Sequence, residues 1–389
     1  MSNTYLQDAD ELLFQVLSIP GLSGEEGAIM AFLVDRLQRA GATDAVLGFD
    51  QAQRKTPRGG DVGNLVLKLP STRPGPRRLL MAHVDTVPIC RGAKPVRKGK
   101  YIVPADKKTA LGADDRAGTA AILAAALYVL NEKPAHGPLT FLWTVQEELG
   151  LYGARYAALG MLGRPKLAFN FDGGATDKVT IGATGGYRME IRISGTASHA
   201  GAAPERGVSA ITIASMAITE LHHEGWLGKI EKPSGCGTAN VGVIQGGEAT
   251  NVITPEVHLS AEARSHSPTF RAKIIKAIEG AFKKAARSVK NTEGKCGAVE
   301  IDGRLDYESF RLPDKCPSIL VAEEVIRSLG GSPVRAISNG GLDANWMSDR
   351  DIPTVTLGCG QENPHTPDER LDCGEFRRAC EIALKLATG

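Results

Sequence analysis

The chain has 389 residues, of which 42% are hydrophobic and 23% are charged, as is usual for a globular protein of about two domains. Forty-six basic residues nearly balance 44 acidic ones, and the net charge of +2 gives no electrostatic reason to expect nucleic acid or an anionic membrane as a partner. The seven cysteines form no Cys-x-x-Cys pair, which argues against a disulfide scaffold or a thiolate zinc site and favours a reducing, cytoplasmic location.

The first half of the chain alternates predicted strands and helices. Its N-terminal segment places acids inside an apolar pattern and has no basic region, so it is predicted to form an amphipathic helix rather than a signal peptide. Apolar strands are predicted over 64–69, 78–82, 139–145 and 167–171. An Ala- and Leu-rich helix is predicted over 116–130, and its nearly uniform apolar run, 119–130, is too short to span a bilayer. Short apolar strands separated by helices predict a mostly parallel sheet covered on both faces.

The pattern changes near residue 184 and changes back after Pro313. The segment between them has strands that alternate with period two, which predicts an antiparallel sheet with one solvated face. Its predicted elements are strands over 187–193, 240–244 and 256–264 and helices over 208–222 and 269–290. After it, the sequence predicts a helix over 318–329, a strand over 353–357 and a final helix from about Glu375. Asp372 and Glu375 are predicted to form a capping box for that helix.

Polar clusters lie where the predicted apolar strands end, with one just before a predicted helix. They centre on His83 with Asp85, Asp114 with Asp115, Glu147 with Glu148, Asp172, and His365. In open α/β sheets this edge is where ligands bind. Each cluster alone also has an ordinary structural explanation, such as helix capping for one aspartate or a turn for another.

Together the clusters supply two histidines, two aspartates and one glutamate as metal ligands, with one further glutamate and one further aspartate. This set is what a two-metal hydrolase needs, with one bridging carboxylate and two private ligands for each ion. Nitrogen and oxygen donors without sulfur favour Zn²⁺, with Co²⁺ or Mn²⁺ as alternatives. Because residues two apart on a strand share a face, Asp85 can hold one imidazole nitrogen of His83 while the other nitrogen binds metal.

The order of these motifs resembles the M20 family of co-catalytic metallopeptidases, and within it the peptidase T branch of tripeptide aminopeptidases. The motifs are HVD, GADDRAG, EELG, NFDGG, SHAG, EARS, GGLDAN and PHT. Each is modest alone, but eight in this order are specific, and they extend over essentially the whole chain. One departure is Arg116, where family members typically have a lysine. That position is not a ligand.

The resemblance implies an α/β fold. A zinc-peptidase catalytic domain with a mostly parallel mixed sheet would be built from residues 1–184 and 311–389. An inserted α+β lid and dimerisation domain, with a four-stranded antiparallel sheet, would comprise residues 185–310. The family precedent also implies a homodimer formed through this lid.

The resemblance assigns roles to the polar clusters. It implies two Zn²⁺ per chain, with Asp114 as the bridging ligand. The private ligands would be His83 and Asp172 for one ion, and Glu148 and His365 for the other. Glu147 would be the general base that activates the bridging water, and Asp85 would orient His83. Family members often have a cis peptide bond after the bridging aspartate.

In the lid, His199 would stabilise the tetrahedral oxyanion, and Arg264 would bind the substrate carboxylate. An ordinary solvent-side position is the alternative reading of Arg264. Asn251 and either Gly341 or Asp343 are weaker candidates, for the substrate wall.

The implied reaction is hydrolysis of short peptides by an aminopeptidase of tripeptidase type. The alternative is a carboxypeptidase or N-acyl amino acid amidohydrolase with the same centre. A binding protein that has lost catalysis is a remote alternative, because it would require a broken ligand set, and every expected ligand is present.

Overall fold

The computed structural model describes residues 3–389, and the chain divides into two units. The first is formed by the segments that end at Ala183 and begin again at Arg311. The second is the intervening segment Thr184–Phe310. The predicted fold class, an α/β sheet with a separate antiparallel sheet, is confirmed.

A mixed nine-stranded sheet organises the first unit. Its strands, in spatial order, are Leu47–Phe49, Leu65–Leu69, Leu139–Thr144, Arg78–His83, Leu167–Phe171, Thr354–Leu357, Lys178–Ala183 and Phe310–Arg311, with Val334–Ser338 also paired to Lys178–Ala183. The four central strands from Leu139–Thr144 to Thr354–Leu357 are parallel to one another. Every residue of Leu139–Thr144 and of Leu167–Phe171 is buried, as expected for strands covered on both faces.

Helices cover this sheet. The α-helices of the first unit are Asn3–Ser18, Gly27–Arg39, Ala113–Glu132, Tyr152–Tyr156, Leu159–Leu162, Pro317–Ser328, Asp343–Asp349 and Cys373–Thr388, with 3₁₀ turns at Ala52–Lys55 and Pro88–Cys90. Ala113–Glu132 is the central one: nearly all of it is buried, and it packs against the first and last helices of the unit. No helix among residues 3–389 is both long and apolar enough to cross a membrane.

A second, four-stranded sheet lies within the first unit. Its strands are Gln361–Glu362, Arg370–Asp372, Tyr101–Pro104 and Pro95–Lys98, in spatial order and antiparallel. The loop between its first two strands carries His365, so this small sheet fixes both ends of the segment that brings that histidine to the centre described below.

The second unit is an antiparallel sheet with two helices. Its strands, in spatial order, are Gly228–Lys232, Gly235–Gln245, Glu256–Ser265, Gly185–Ser194 and Ala298–Tyr307. The helices Ala210–His223 and Pro268–Ser288 contribute buried apolar side chains to the same core as the sheet, and a short 3₁₀ turn spans Pro204–Arg206.

Two details differ from the sequence predictions. The antiparallel sheet has five strands rather than four, and the predicted strand ranges include neither Gly228–Lys232 nor Ala298–Tyr307. The edge strand Gly228–Lys232 buries a single apolar residue, Ile230, between charged neighbours and therefore shows no apolar pattern. The predicted capping box is half right. The Asp372 side chain caps the last helix, but the Glu375 carboxylate accepts hydrogen bonds from the backbone N–H and the hydroxyl of Thr176.

Candidate metal centre

The carboxyl ends of the central parallel strands bring the predicted clusters together. His83 is the last residue of its strand, and Asp172 directly follows Leu167–Phe171. Glu147 and Glu148 lie in the turn after Leu139–Thr144. Because these strands are neighbours and point the same way, side chains at their ends converge at one edge of the sheet.

Asp114 lies between the two histidines. Its Oδ1 is 3.3 Å from His83 Nε2, and its Oδ2 is 3.2 Å from His365 Nε2. His365 Nε2 is also 2.8 Å from Glu148 Oε1. Among the described residues, three groups of donor atoms lie within 4.8 Å of one another, and two of them contain Asp114: His83 with Asp114 and Asp172, and Asp114 with Glu148 and His365. The third joins His83 to Glu147 and Glu148. The structure thus brings all five predicted ligands together, with Asp114 common to the first two groups.

Glu147 is the spare carboxylate of this cluster. It is buried, and its Oε2 lies 4.0 Å from His83 Nε2. Burial raises the pKa of Glu147 well above its usual range; the positive charge of His83 opposes the shift, and the negative charges of neighbouring acids, Glu148 foremost, add to it. A buried carboxylate whose proton affinity is raised is suited to accept a proton during a reaction near neutral pH.

The remaining acids show how much negative charge the centre holds. Burial, followed by the charge of Asp114, raises the pKa of Asp172 well above its usual range. Burial likewise raises the pKa of Glu148, although its hydrogen bond to His365 opposes this. Four carboxylates therefore share a volume that contains two imidazoles, and a bound cation would offset their mutual repulsion.

The two aspartates at 114 and 115 have different surroundings. The peptide bond between them is cis. Asp115 accepts the backbone N–H of Gly118 at 3.1 Å and that of His83 at 3.1 Å, so it is the helix-capping member of the pair. Asp114 is left free to face the histidines. The regular helix begins after Asp115, as predicted, because both aspartates have non-helical backbone angles.

Asp85 lies behind His83 and holds the backbone of the glutamate pair. Its Oδ1 is 3.4 Å from His83 Nδ1, whereas its own carbonyl oxygen is closer, at 3.1 Å. The carboxylate accepts the N–H groups of Glu147 and Glu148 at 2.9 and 3.2 Å, and the Ser23 hydroxyl at 2.6 Å. Asp85 therefore makes the predicted contact with His83 and also binds the backbone of Glu147 and Glu148.

Two buried carboxylates that the sequence interpretation overlooked support the same loops. Glu369 accepts the N–H groups of Gly112 and Asp114 at 2.8 and 3.0 Å. Glu26 accepts the N–H of Gln146 at 3.1 Å. Burial raises the pKa of each acid to about 7. Neither lies directly after a predicted apolar strand, and the partners are distant along the chain, so the pattern that pointed to the predicted ligands could not identify these two acids.

A cavity of about 330 Å³ in the first unit opens beside the centre. Asp114 and Asp172 line it, together with two glycine pairs, at 173–174 and 340–341, and the single Gly358. Gly341, a weaker candidate for the substrate wall, is thus part of this cavity. Asp343, the other, is buried and accepts a hydrogen bond from the Thr144 hydroxyl instead.

The three predicted lid residues belong to the second unit. His199 is exposed, and its Nδ1 accepts the N–H groups of Gly201 and Ala202 at 3.1 and 3.0 Å, which leaves Nε2 as the protonated nitrogen. Asn251 is exposed, and its backbone carbonyl oxygen accepts the N–H of Ala200. The Arg264 guanidinium donates two hydrogen bonds to the Glu262 carboxylate, from Nε at 3.0 Å and from Nη2 at 2.9 Å.

A parallel sheet with histidines and carboxylates clustered at its carboxyl edge, and a buried acid beside them, is typical of metal-dependent hydrolases. The comparison with known proteins identifies the family. Peptidase family M20/M25/M40 matches residues 79–389. The chain belongs to this family of peptidases and is a hydrolytic enzyme of its peptidase T-like branch.

Among individual relatives, the chain is 33% identical to the Bacillus subtilis (strain 168) protein YqjE, covering 84% of this chain and 85% of that protein. It is 31% identical to Carboxypeptidase G2 from Pseudomonas sp. (strain RS-16), covering 87% and 80%. A solved tripeptidase from Staphylococcus aureus shares 31% identity and a TM-score of 0.87 over 98% of both chains. The solved aminopeptidase PepT from Bacillus cereus shares 30% identity and a TM-score of 0.82, with the same coverage.

Proposed function

We propose that this M20 enzyme is a di-zinc aminopeptidase of tripeptidase type that hydrolyses short peptides. The observation that carries the proposal is the position of Asp114, with one carboxylate oxygen beside each of the two histidines. The likeness of the chain to the S. aureus tripeptidase and the B. cereus aminopeptidase supports the substrate class.

The donor set fits two ions. His83 and Asp172 would hold one, Glu148 and His365 the other, and Asp114 would be shared. Nitrogen and oxygen donors without a thiolate suit Zn²⁺, and Co²⁺ or Mn²⁺ are alternatives with the same ligands. When bound, the ions would lower the pKa of a water molecule and polarise the scissile carbonyl.

Two side chains of the protein would transfer the proton and orient a ligand. Glu147, buried beside His83, would take a proton from the attacking water and later deliver it to the leaving amine. Asp85 would hold the imidazole of His83 from behind. The positions of Glu147 and Asp85, 4.0 and 3.4 Å from the two imidazole nitrogens of His83, support these roles.

The second unit would act as a lid that supplies substrate contacts. His199, whose Nε2 carries a proton, would donate a hydrogen bond to the oxyanion. Arg264 would bind the carboxylate of the peptide, and Asn251 would form part of the substrate wall. The Glu262 carboxylate already occupies the Arg264 fork, so a substrate carboxylate would have to displace or share it.

An M20-type carboxypeptidase or N-acyl amino acid amidohydrolase is the second candidate. It is favoured by the 31% identity to Carboxypeptidase G2 over 87% of this chain. The candidates differ in the terminal group that they require: an aminopeptidase needs a free amine, a deacylase needs that amine to be blocked, and a carboxypeptidase needs a free carboxylate.

A peptide panel tests the proposal. Tripeptides with free, N-acetylated and C-amidated ends would be incubated with enzyme loaded with zinc, cobalt or manganese. We expect turnover of the free tripeptide and little turnover of the acetylated one. Preferred cleavage of the acetylated peptide would instead establish the second candidate.

We further propose that the enzyme forms a homodimer through the second unit. The strand Gly235–Gln245 pairs with Gly228–Lys232 only as far as Ala239, so residues 240–245 expose an edge on that side within the described chain. Val243 and Ile244 on this edge are 43% and 53% exposed. An exposed apolar edge is a ready site for strand pairing with a second copy.

Sedimentation of the wild type and of Val243→Asp tests the dimer: a dimer that the substitution converts to monomer would support it, and a monomeric wild type would contradict it. We also propose a cytoplasmic location, which is supported by seven cysteines with free thiols.

A further inference from the structure

Glu26 is a buried acid outside the ligand set. It precedes the helix Gly27–Arg39, but its side chain makes no capping bond to that helix. Its Oε1 accepts the N–H of Gly24 at 2.8 Å and that of Gln146 at 3.1 Å. Its Oε2 is buried without a hydrogen-bond partner among the described residues. A fully buried carboxylate with one unsatisfied oxygen costs stability, so a functional reason for its position is worth seeking.

The contact with Gln146 is one of three consecutive backbone hydrogen bonds to carboxylates. Successive N–H groups at 146, 147 and 148 are bound by two buried carboxylates: the first by Glu26, and the next two by the oxygens of Asp85, at 2.9 and 3.2 Å. The loop that carries the proposed general base is therefore held through its backbone by acids from two other parts of the chain.

The conformation of Gln146 needs such support. Its φ is +52°, in the left-handed region that non-glycine residues adopt rarely and keep only when their surroundings hold them. Its side chain adds one more anchor, from Nε2 to the carbonyl oxygen of Gly59 at 2.7 Å. The turn at Gln146 matters because the two following side chains separate: Glu147 lies beside His83, and Glu148 lies beside His365.

We propose that Glu26 is a positioning residue for Glu147: by fixing the turn at Gln146, it aims the general base and sets it apart from the ligand that follows it. The inference rests on the proposed function, because it requires Glu147 to be the proton acceptor. Glu26 acts through the backbone of Gln146 and belongs to none of the donor groups among the described residues that could hold an ion.

Three variants test this role. Glu26→Ala removes the acceptor, and we expect kcat on the free tripeptide to fall about 10- to 100-fold with KM and zinc content nearly unchanged, since a misplacement of about 1 Å can cost 100-fold. Glu26→Gln keeps an oxygen for the same N–H groups and should stay within about threefold of wild type. Glu323→Ala is the matched control. Glu323 is also a buried carboxylate, but it lies on the helix Pro317–Ser328 and pairs with Arg327 on the same helix and with Arg335 on a strand.

A double-mutant cycle separates positioning from general destabilisation. In the Glu147→Gln background, Glu26→Ala should change the residual rate by less than about twofold, because the group that it positions is already gone. An effect as large as in the wild type would overturn the inference, as would an equal loss of kcat in Glu323→Ala or an unchanged kcat in a folded Glu26→Ala.

The wild-type arm distinguishes this inference from the proposed function. If the wild type does not cleave the free tripeptide, the aminopeptidase proposal fails, and the same cycle is run on whichever substrate of the panel it does cleave. If Glu26→Ala lowers kcat on that substrate equally with and without Glu147→Gln, the role of Glu26 is overturned, whichever substrate the enzyme prefers.

Discussion

The two halves of the candidate metal centre differ in how the protein holds their histidines. The side chain of His83 is 2% exposed, at the end of a central strand, and its backbone N–H and C=O are bound by Asp115 and Thr119. The side chain of His365 is 48% exposed, on a loop, with φ at +64°. That backbone conformation costs about 1–2 kcal/mol for a residue other than glycine. The first histidine is placed by the fold, whereas the second is placed largely by the acids that it meets, Asp114 and Glu148.

This difference predicts unequal ion sites. Ligands that are already fixed lose little freedom on binding, so the half built on His83 should bind its ion more tightly than the half built on His365. The shared Asp114 then couples the two halves. Substitutions that remove a ligand, the neighbouring base or the support of Asp114 test this difference between the halves.

The largest effect is expected for His83→Ala. It should remove about one zinc ion per chain and reduce activity to that of metal-free protein, because Asp114 and Asp172 alone make a poor site. The matched variant His365→Ala should lose the more weakly held ion and keep the other. Elemental analysis after gel filtration compares them. Unchanged zinc in His83→Ala, or greater zinc loss in His365→Ala, would contradict the proposed difference.

Next in size is Glu147→Gln. Activity should fall by about 10²–10⁴-fold, which is the usual contribution of general acid–base catalysis, while both ions are retained. Steady-state kinetics and zinc analysis on the same preparation check the two parts of the expectation. Full activity would remove Glu147 from the mechanism, and loss of zinc would make it a ligand instead.

A smaller effect is expected for Glu369→Ala. Glu369 holds the backbone N–H of Asp114, so zinc affinity should weaken about 10- to 100-fold, as is typical when a residue that orients a ligand is removed. Glu369→Gln keeps one acceptor oxygen and should be affected less. Competition with a chelating dye measures both, and equal affinities in all three proteins would show that the shared ligand needs no such support.

The smallest effect concerns pH. Hydrogen bonds to Asp114 and Glu148 raise the pKa of His365 from 6.5 to about 10. In metal-free protein, this interaction stabilises the fold fully below pH 6.5 and is lost as the pH rises through about 10. The difference in Tm between metal-free wild type and His365→Asn should therefore shrink over that interval. A difference that stays constant with pH would mean that His365 is not paired in solution.

The expectation that ligands bind where parallel strands end explains which site residues could be predicted from sequence and which could not. His83, Glu147 and Asp172 follow apolar runs, and the topology that makes these runs neighbours puts their polar ends together. Glu26 and Glu369 have no such marker. Their partners lie 120 and 255 residues away, so a contact such as Glu369 with Asp114 depends on how the loops pack rather than on any local pattern.

Local patterns failed elsewhere for related reasons. Glu375 has the spacing of a capping box, yet Thr176 supplies two donors to its carboxylate, and this tertiary contact replaces the local one. The aspartate pair shows the opposite case. Capping was a sufficient explanation for one of the two residues, and the structure assigns that role to Asp115 and leaves Asp114 facing the histidines.

The central claim is that Asp114 is shared by two ions. Zinc per chain, measured by elemental analysis in the wild type and in Asp114→Asn, tests it most directly. We expect about two ions in the wild type and a marked loss from both halves in the variant, because one bridging carboxylate serves both. A wild type that binds a single ion, or an Asp114→Asn protein that keeps two, would contradict the claim.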